Sequence, residues 1–343
     1  MKRMTSMIMT MVLATMLSAC GGGGGSESPA NPTESSSFAA TPAAAVIDGP
    51  DTALYTVSLL AIASSSYAVA LNDSGQVIGH YLDAEQQINA FQWQDRTVKT
   101  VVSGGEVRRI NNRGQIVGWQ KLGQSEAFLY EADGEMIRLN KLGGASQAMA
   151  INDSGQTAGR ITRGGDKAYV DQSGVMQLIA NEIDGYAIAM NNLGDVLIQA
   201  VSGSGCRTLI WRHGVLTDLG DFGGELTVGR DMNDAGQVVG WAQTASGDYH
   251  PFLWENGVLH DLSIYTGNFG AAVAINEAGV ILLKASDLTG ERNLLLNHGV
   301  VTDLANFGST YAVVNDLNSQ GQIVGWMADA AGVMHAFLAT PKS

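Results

Sequence analysis

The chain is poor in the residues and spacings that mark most enzymes and metal proteins. Cysteine occurs only as Cys20 and Cys206 in 343 residues, so a disulfide framework is excluded as the source of stability. The six histidines form no His-x-His or His-x-x-x-His pair, and a zinc site lacks support. There is no Asp-x-Asp-x-Asp-Gly calcium loop, no Gly-x-Ser-x-Gly nucleophile elbow, and no carboxylate pair that spacing alone nominates for glycoside chemistry. The sequence thus implies no cofactor and names no catalytic residue. Basic charge is scarce as well: 19 Lys and Arg stand against 33 Asp and Glu, for a net charge of −14. An acidic surface repels phosphate, so nucleic acid is excluded as a partner, and anionic lipid headgroups do not hold the chain by charge. No long apolar stretch keeps the 3.6-residue spacing of a helix, while glycine is frequent, at 43 residues.

What the chain has is a repeat. In the stretch Asp231 to Trp241, an apolar strand ends at Met232, Asn233-Asp234-Ala235 turn, Gly236 takes the left-handed conformation, and Gln237-Val238-Val239 lead away. That is the composition of a type I turn closed by a glycine bulge. Copies stand at Asn72-Asp73-Ser74-Gly75, Asn111-Asn112-Arg113-Gly114, Asn152-Asp153-Ser154-Gly155, Asn191-Asn192-Leu193-Gly194, Asn276-Glu277-Ala278-Gly279 and Asn318-Ser319-Gln320-Gly321. From glycine to glycine the steps are 39, 41, 39, 42, 43 and 42 residues, and a period near 40 is the length of a four-stranded propeller blade. In the fifth repeat the remaining strands read as Pro251 to Trp254 and Val258 to Leu262, joined by an Asn256-Gly257 turn.

The two ends predict how the repeats close. The last repeat runs through Ala336-Phe337-Leu338 and stops without its fourth strand, while an unassigned strand, Tyr55 to Leu59, precedes the first turn. Leu59 lies 13 residues before Asn72, as Leu139 lies 13 before Asn152. The N-terminal strand therefore has the register of a fourth strand and completes the last blade. The fold expected is all-β, a seven-bladed β-propeller over residues 53–343, monomeric, with its sheet edges removed by closure.

Ahead of it, Lys2-Arg3, the mostly apolar Met7 to Leu17 and Leu17-Ser18-Ala19-Cys20 resemble a bacterial lipoprotein signal peptide over residues 1–19, with Cys20 as the lipidated residue. Loss of Lys2 and Arg3 with that segment takes the charge from −14 to −16. Use of Cys20 for lipid leaves Cys206 without an intramolecular disulfide partner, and its place before Thr208-Leu209-Ile210 suits a buried position. Residues 20–52 are Gly, Ser, Pro and Ala with little to bury, a flexible tether. The repeat core, followed by His250-Pro251-Phe252-Leu253-Trp254 or His335-Ala336-Phe337-Leu338, resembles the bacterial extracellular HAF repeat. That resemblance implies export and β architecture, and it carries no catalytic residues. Together these readings place the chain in the bacterial cell envelope as an outer-membrane lipoprotein facing the periplasm or the cell surface, touching the membrane through its anchor alone.

Chemistry is sought where the repeats differ. Gly118-Trp119, Gly240-Trp241 and Gly325-Trp326 read as filler between blades, with sugar stacking as the alternative. The turn asparagines read as Asx side chains bonding their own turns. Two residues before the turn asparagine most repeats carry alanine (Ala70, Ala150, Ala189, Ala274), but three carry Arg109, Asp231 and Asp316, with Arg108, Arg230 and Asn315 beside them. On innermost strands such charges either pair internally or face a hydrated pocket. Arg108, Arg109, Arg230, Asp231 and Asp316 are the candidate ligand-binding residues. A varied polar slot before the third strand (Asn89, Glu126, Lys167, Arg207, His250, Arg292, His335) reads either as a binding rim or as free surface. The expected role is a binding scaffold for a glycan or an envelope protein. The rivals are a glycan hydrolase or lyase using the axial pocket, and a purely structural surface protein.

Overall fold

The computed structural model describes residues 47–48, 54–62, 65–139, 142–203, 205–287 and 290–342. The signal peptide, Cys20 and most of the tether lie outside the described residues. Within them each repeat folds as four antiparallel strands, spanning 65–103, 105–138, 145–178, 185–218, 223–261 and 270–303. In the first repeat these are Ser65–Leu71, Val77–Leu82, Ile88–Gln94 and Thr97–Ser103. One parallel pairing, Cys206 with Leu226, joins the fourth set to the fifth. Among the described residues, helix is confined to Ser263–Thr266 and a 3₁₀ turn at Ala305–Gly308.

The last set draws on both ends of the chain. Ala312–Leu317, Ile323–Ala328 and Met334–Pro341 pair in order, and Tyr55–Leu59 lies antiparallel to the third, with Ser58 opposite Leu338 and Leu59 opposite Phe337. Pairing continues into the stretch read as tether, since Ile47–Asp48 adds to Tyr55–Leu59. Tyr55 and Val57 are buried against Leu282, Phe307 and Phe337, and Tyr55 meets Phe307 edge-on at 5.7 Å. Leu60 and Ile62 pack with Phe91 of the first repeat and Leu338 of the last.

The apolar clusters lie between successive sheets. Val117, Ala127 and Leu129 of the second repeat, for example, meet Ala148, Ile151 and Tyr169 of the third. Two local devices make this packing possible. At each turn the glycine N–H returns to the asparagine carbonyl, as Gly75 does to Asn72 at 3.0 Å, and Gly75 holds φ +73°. On every innermost strand the register slips by one residue just before the turn, at Val107/Arg109 and Gly229/Asp231 among others. Opposite that bulge the glycine of the Gly-Trp element has no room for a side chain. A Cβ on Gly118 would lie 1.9 Å from the Glu106 carbonyl oxygen, and one on Gly240 would lie 2.1 Å from that of Val228. The repeated glycine is therefore fixed by backbone approach at a bulge.

Four of the six tryptophans behave as filler: Trp241 is fully buried, and Trp93, Trp119 and Trp254 nearly so, while Trp211 and Trp326 are only partly buried. Cys206 is fully buried beside Leu226, Val228, Trp241 and Ala271.

Candidate functional site

The turns of all seven repeats gather around one axial opening, and their asparagines form a ring of hydrogen bonds. Each side-chain amide donates to the backbone carbonyl of the next turn asparagine: Asn72 to Asn111 (3.0 Å), Asn111 to Asn152 (2.9 Å), Asn152 to Asn191 (3.2 Å) and Asn191 to Asn233 (3.3 Å). Asn233 then donates to Asn276, Asn276 to Asn318 and Asn318 back to Asn72, each at 3.1 Å. The Oδ1 atoms accept from their own turns, as Asn152 does from the Gln156 N–H and the Ser154 hydroxyl. The Asx-turn reading is met and extended, because the same side chain also ties neighbouring repeats together.

Outside this ring lies a second, exposed one made by the next residue of each turn. The backbone N–H of Asp73 donates to Asn112 Oδ1, that of Asn112 to Asp153, that of Asp153 to Asn192, and that of Asn192 to Asp234. Asp234 donates to Glu277, and Ser319 to Asp73. Asn112 Nδ2 bridges the carboxylates of Asp73 and Asp153, and Asn192 Nδ2 bridges Asp153 and Asp234. Amides thus separate Asp73, Asp153 and Asp234, whereas Glu277 stands beside Asp234 and is raised by burial, with Asp234 adding to the shift.

A cavity of about 170 Å³ is lined by residues of both rings, by Arg109, Asp231 and Asp316, and by apolar strand ends such as Leu71, Ile110 and Met232. Arg109 Nη2 lies 3.7 Å from Asp231 Oδ1. Asp231 Oδ2 accepts the Ile275 N–H at 3.0 Å and Asp316 Oδ2 accepts the Leu71 N–H at 3.1 Å, so each carboxylate clamps the following repeat. Burial pushes Asp316 up to about 6; Arg109 opposes the shift and Asp231 adds to it. Asp231 is also raised by burial, against the pull of Arg109.

The five candidate residues do not form one site. Arg108 and Arg230 are the bulge residues, and a bulge breaks strand alternation so that a side chain is re-aimed. Arg108 lies over the Trp119 ring at 4.8 Å and 3.7 Å from Glu106. It also lies within electrostatic reach of Arg160 and of Tyr186, two sheets away, and Arg230 lies within reach of Arg108, Tyr186 and Lys284. Groups of five sheets thus come near one another at a second, deeper level, whose residues do not line the cavity at the turns. Two of its members, Arg160 and Lys284, escaped the sequence reading. They occupy the tryptophan slot, opposite Gln147 and Ala271 as Trp119 is opposite Glu106. The loss of tryptophan at that slot in these repeats was the available signal.

Four residues of the polar slot before the third strand pair with nearby acids, two of them on the segment that leads into the next sheet. Lys167 pairs with Asp184 at 3.0 Å, His250 with Asp261 at 2.8 Å, His335 with Asp329 at 3.0 Å, and Arg207 with Asp221.

No protein-family profile and no curated protein matches the sequence. Solved structures do match the fold. An acylaminoacyl peptidase of Pyrococcus horikoshii is 10% identical with a TM-score of 0.57, over 80% of this chain and 52% of its own. A puromycin hydrolase is 12% identical with a TM-score of 0.55, over 78% and 50%. YCF48, solved with a D1 peptide, is 11% identical with a TM-score of 0.52, over 87% and 98%. The chain thus spans about half the length of the two hydrolases, and at these identities the likeness concerns fold alone. That fold is the β-propeller: all-β, built of four-stranded antiparallel sheets.

Proposed function

We propose that the chain is a seven-bladed propeller ring, closed by its N-terminal strand, that serves as a lipid-anchored binding scaffold in the cell envelope. The unbroken circuit of asparagine bonds from Asn72 round to Asn318 and back carries the ring reading, and the pairing of Tyr55–Leu59 with Met334–Pro341 supports it. Scaffold rather than enzyme is favoured because both acids of the mouth clamp backbone amides. The cavity, about 170 Å³, also falls short of the ~300–1,000 Å³ usual for small-molecule sites. The anchor rests on Lys2-Arg3 and Leu17-Ser18-Ala19-Cys20.

One observation favours the second reading, a glycan hydrolase or lyase. Asp316, raised to about 6 beside a second carboxylate, has the character of a general acid. Incubating the chain with envelope polysaccharides and following new reducing ends separates the two. Release of ends that Asp316→Asn abolishes establishes the enzyme; binding on a glycan array or to an envelope protein, without turnover, establishes the scaffold.

For the anchor, palmitate-analogue labelling is expected to disappear in Cys20→Ser, and persistent labelling would remove it. A thioether at Cys20 and a Cys20–Cys206 disulfide exclude each other in a chain with two cysteines, so the intact mass of the membrane-extracted protein also reports which is present.

A further inference from the structure

We propose that the deeper level of the channel is an anion site, built to take the carboxylate or phosphate group of a small ligand. A chain with 33 acidic and 19 basic residues gathers Arg108, Arg160, Arg230 and Lys284 around one axis. Arg160 is held in place, its Nε bonding Gln147 and its Nη1 bonding Asp166 at 3.0 Å, with its guanidinium 5.9 Å from the Tyr186 ring centre. Arg108 is not. Its Nε is buried and has no partner, and its ion pair with Glu106 is loose at 3.7 Å. Arg108 stands at the bulge of an innermost strand, and 40% of its side chain is accessible. A guanidinium with an open donor in such a place suits a planar oxyanion.

Glu106 and Asp166 engage Arg108 and Arg160. Glu291 faces Lys284 but is raised by burial. His80, in the same slot, accepts the Val107 N–H through Nε2, and burial and Arg108 hold it neutral, near 3. Lys284 is lowered to about 8 by burial and by Arg230, and stays mostly protonated at neutral pH. An oxyanion would offset the repulsion between Arg108 and Arg160.

The inference rests on the ring reading above. That reading is tested by strand deletion and restoration, and this one by titrating a chain of intact melt, so each can fail alone. Isothermal calorimetry at constant ionic strength, on the full chain in detergent, is run with inorganic phosphate, D-glucuronate and uncharged D-glucose. Saturable binding of phosphate, glucuronate or both is expected, and none of glucose; which anion binds names the group. Arg108→Gln and Lys284→Met are each expected to weaken it about tenfold or more, Arg108→Lys less, and the exposed Arg163→Gln not at all. Absence of saturable binding with both anions, or unchanged affinity in folded Arg108→Gln and Lys284→Met, would overturn the proposal.

Discussion

At the mouth of the channel each turn asparagine bonds the next repeat; a few residues down the same strands, Arg108 has a buried nitrogen with no partner. Both levels are polar, and both are built by innermost strands. The mouth uses short side chains that reach neighbouring backbone, so polarity there becomes the fastening between sheets. The deeper level uses long cations, and burial, with neighbouring cations adding to it, depresses Arg108, Arg230 and Lys284. Buried polar groups that are satisfied specify a fold, while those left open mark a place where something else completes them. The comparison predicts that substitutions at the mouth are read in stability and those at the deeper level in binding.

The strongest way to break the comparison is to open the ring that both levels share. A chain beginning at Ser64 lacks Tyr55 and Val57, both buried. Such side chains contribute about 1.5–3 kcal/mol each, and each ladder bond adds roughly 1 kcal/mol. That is comparable with a whole domain's net stability, about 5–15 kcal/mol. Insolubility or a loss of cooperative melting is expected, and grafting the Tyr55–Leu59 strand after Ser343 is expected to restore it. An unchanged melt in the short chain would remove the closed ring.

Next in size is the asparagine ring itself. Asn152→Ala deletes two donated and two accepted bonds in a buried setting and is expected to cost about 2–4 kcal/mol by urea melts. Asn112→Ala, in the exposed outer ring, is expected to cost less than about 1 kcal/mol. Equal costs would show that the two rings are not distinct in role.

A smaller effect, of opposite sign, is expected at Asp316. Its folded pKa, about 6, exceeds the ordinary 3.8, so the folded state binds the extra proton between those values. The stability this confers is complete below pH 4 and is lost as pH rises through 6. Asp316→Asn keeps an acceptor for the Leu71 N–H and carries no charge. It is expected to match the parent near pH 4 and to exceed it by about 1–2 kcal/mol at pH 7.5. A variant less stable than the parent at pH 7.5 would mean that the ionised carboxylate pairs favourably with Arg109.

The sequence disclosed the architecture because architecture is periodic. Asn-x-x-Gly at steps near 40 located the first hairpin of each repeat, and the Leu59–Asn72 spacing placed the N-terminal strand opposite Phe337 and Leu338, where it lies. It disclosed the site only in part. Arg109, Asp231 and Asp316 stood out because they replace alanine, and the structure brings them to one cavity. Adjacency in sequence could not show that Arg108 and Arg230 belong to another level, because a bulge intervenes. Arg160 and Lys284 went unread because they replace a tryptophan already taken as core. The alternation of acid and amide at Asp73, Asn112, Asp153 and Asn192 looked like variation, and only the ring shows it as bridging.

The smallest effect sharpens the comparison most, because it contrasts consecutive residues. Arg109→Gln removes the cation nearest Asp231, leaving a buried carboxylate without its 3.7 Å partner. Since both side chains keep some exposure, the cost expected is about 1–2 kcal/mol rather than the 3–5 of a fully buried pair. Arg108→Gln loses one loose ion pair and a contact over Trp119, each worth about 0.5–1 kcal/mol at most in a hydrated setting. It also relieves repulsion from Arg109, Arg160 and Arg230. These contributions oppose, and the net change expected is within about 0.5 kcal/mol of zero. Urea melts of the two variants at pH 7.5, side by side, test this. A large loss in Arg108→Gln would make the deeper cations structural like those of the mouth, and would erase the difference between the two levels.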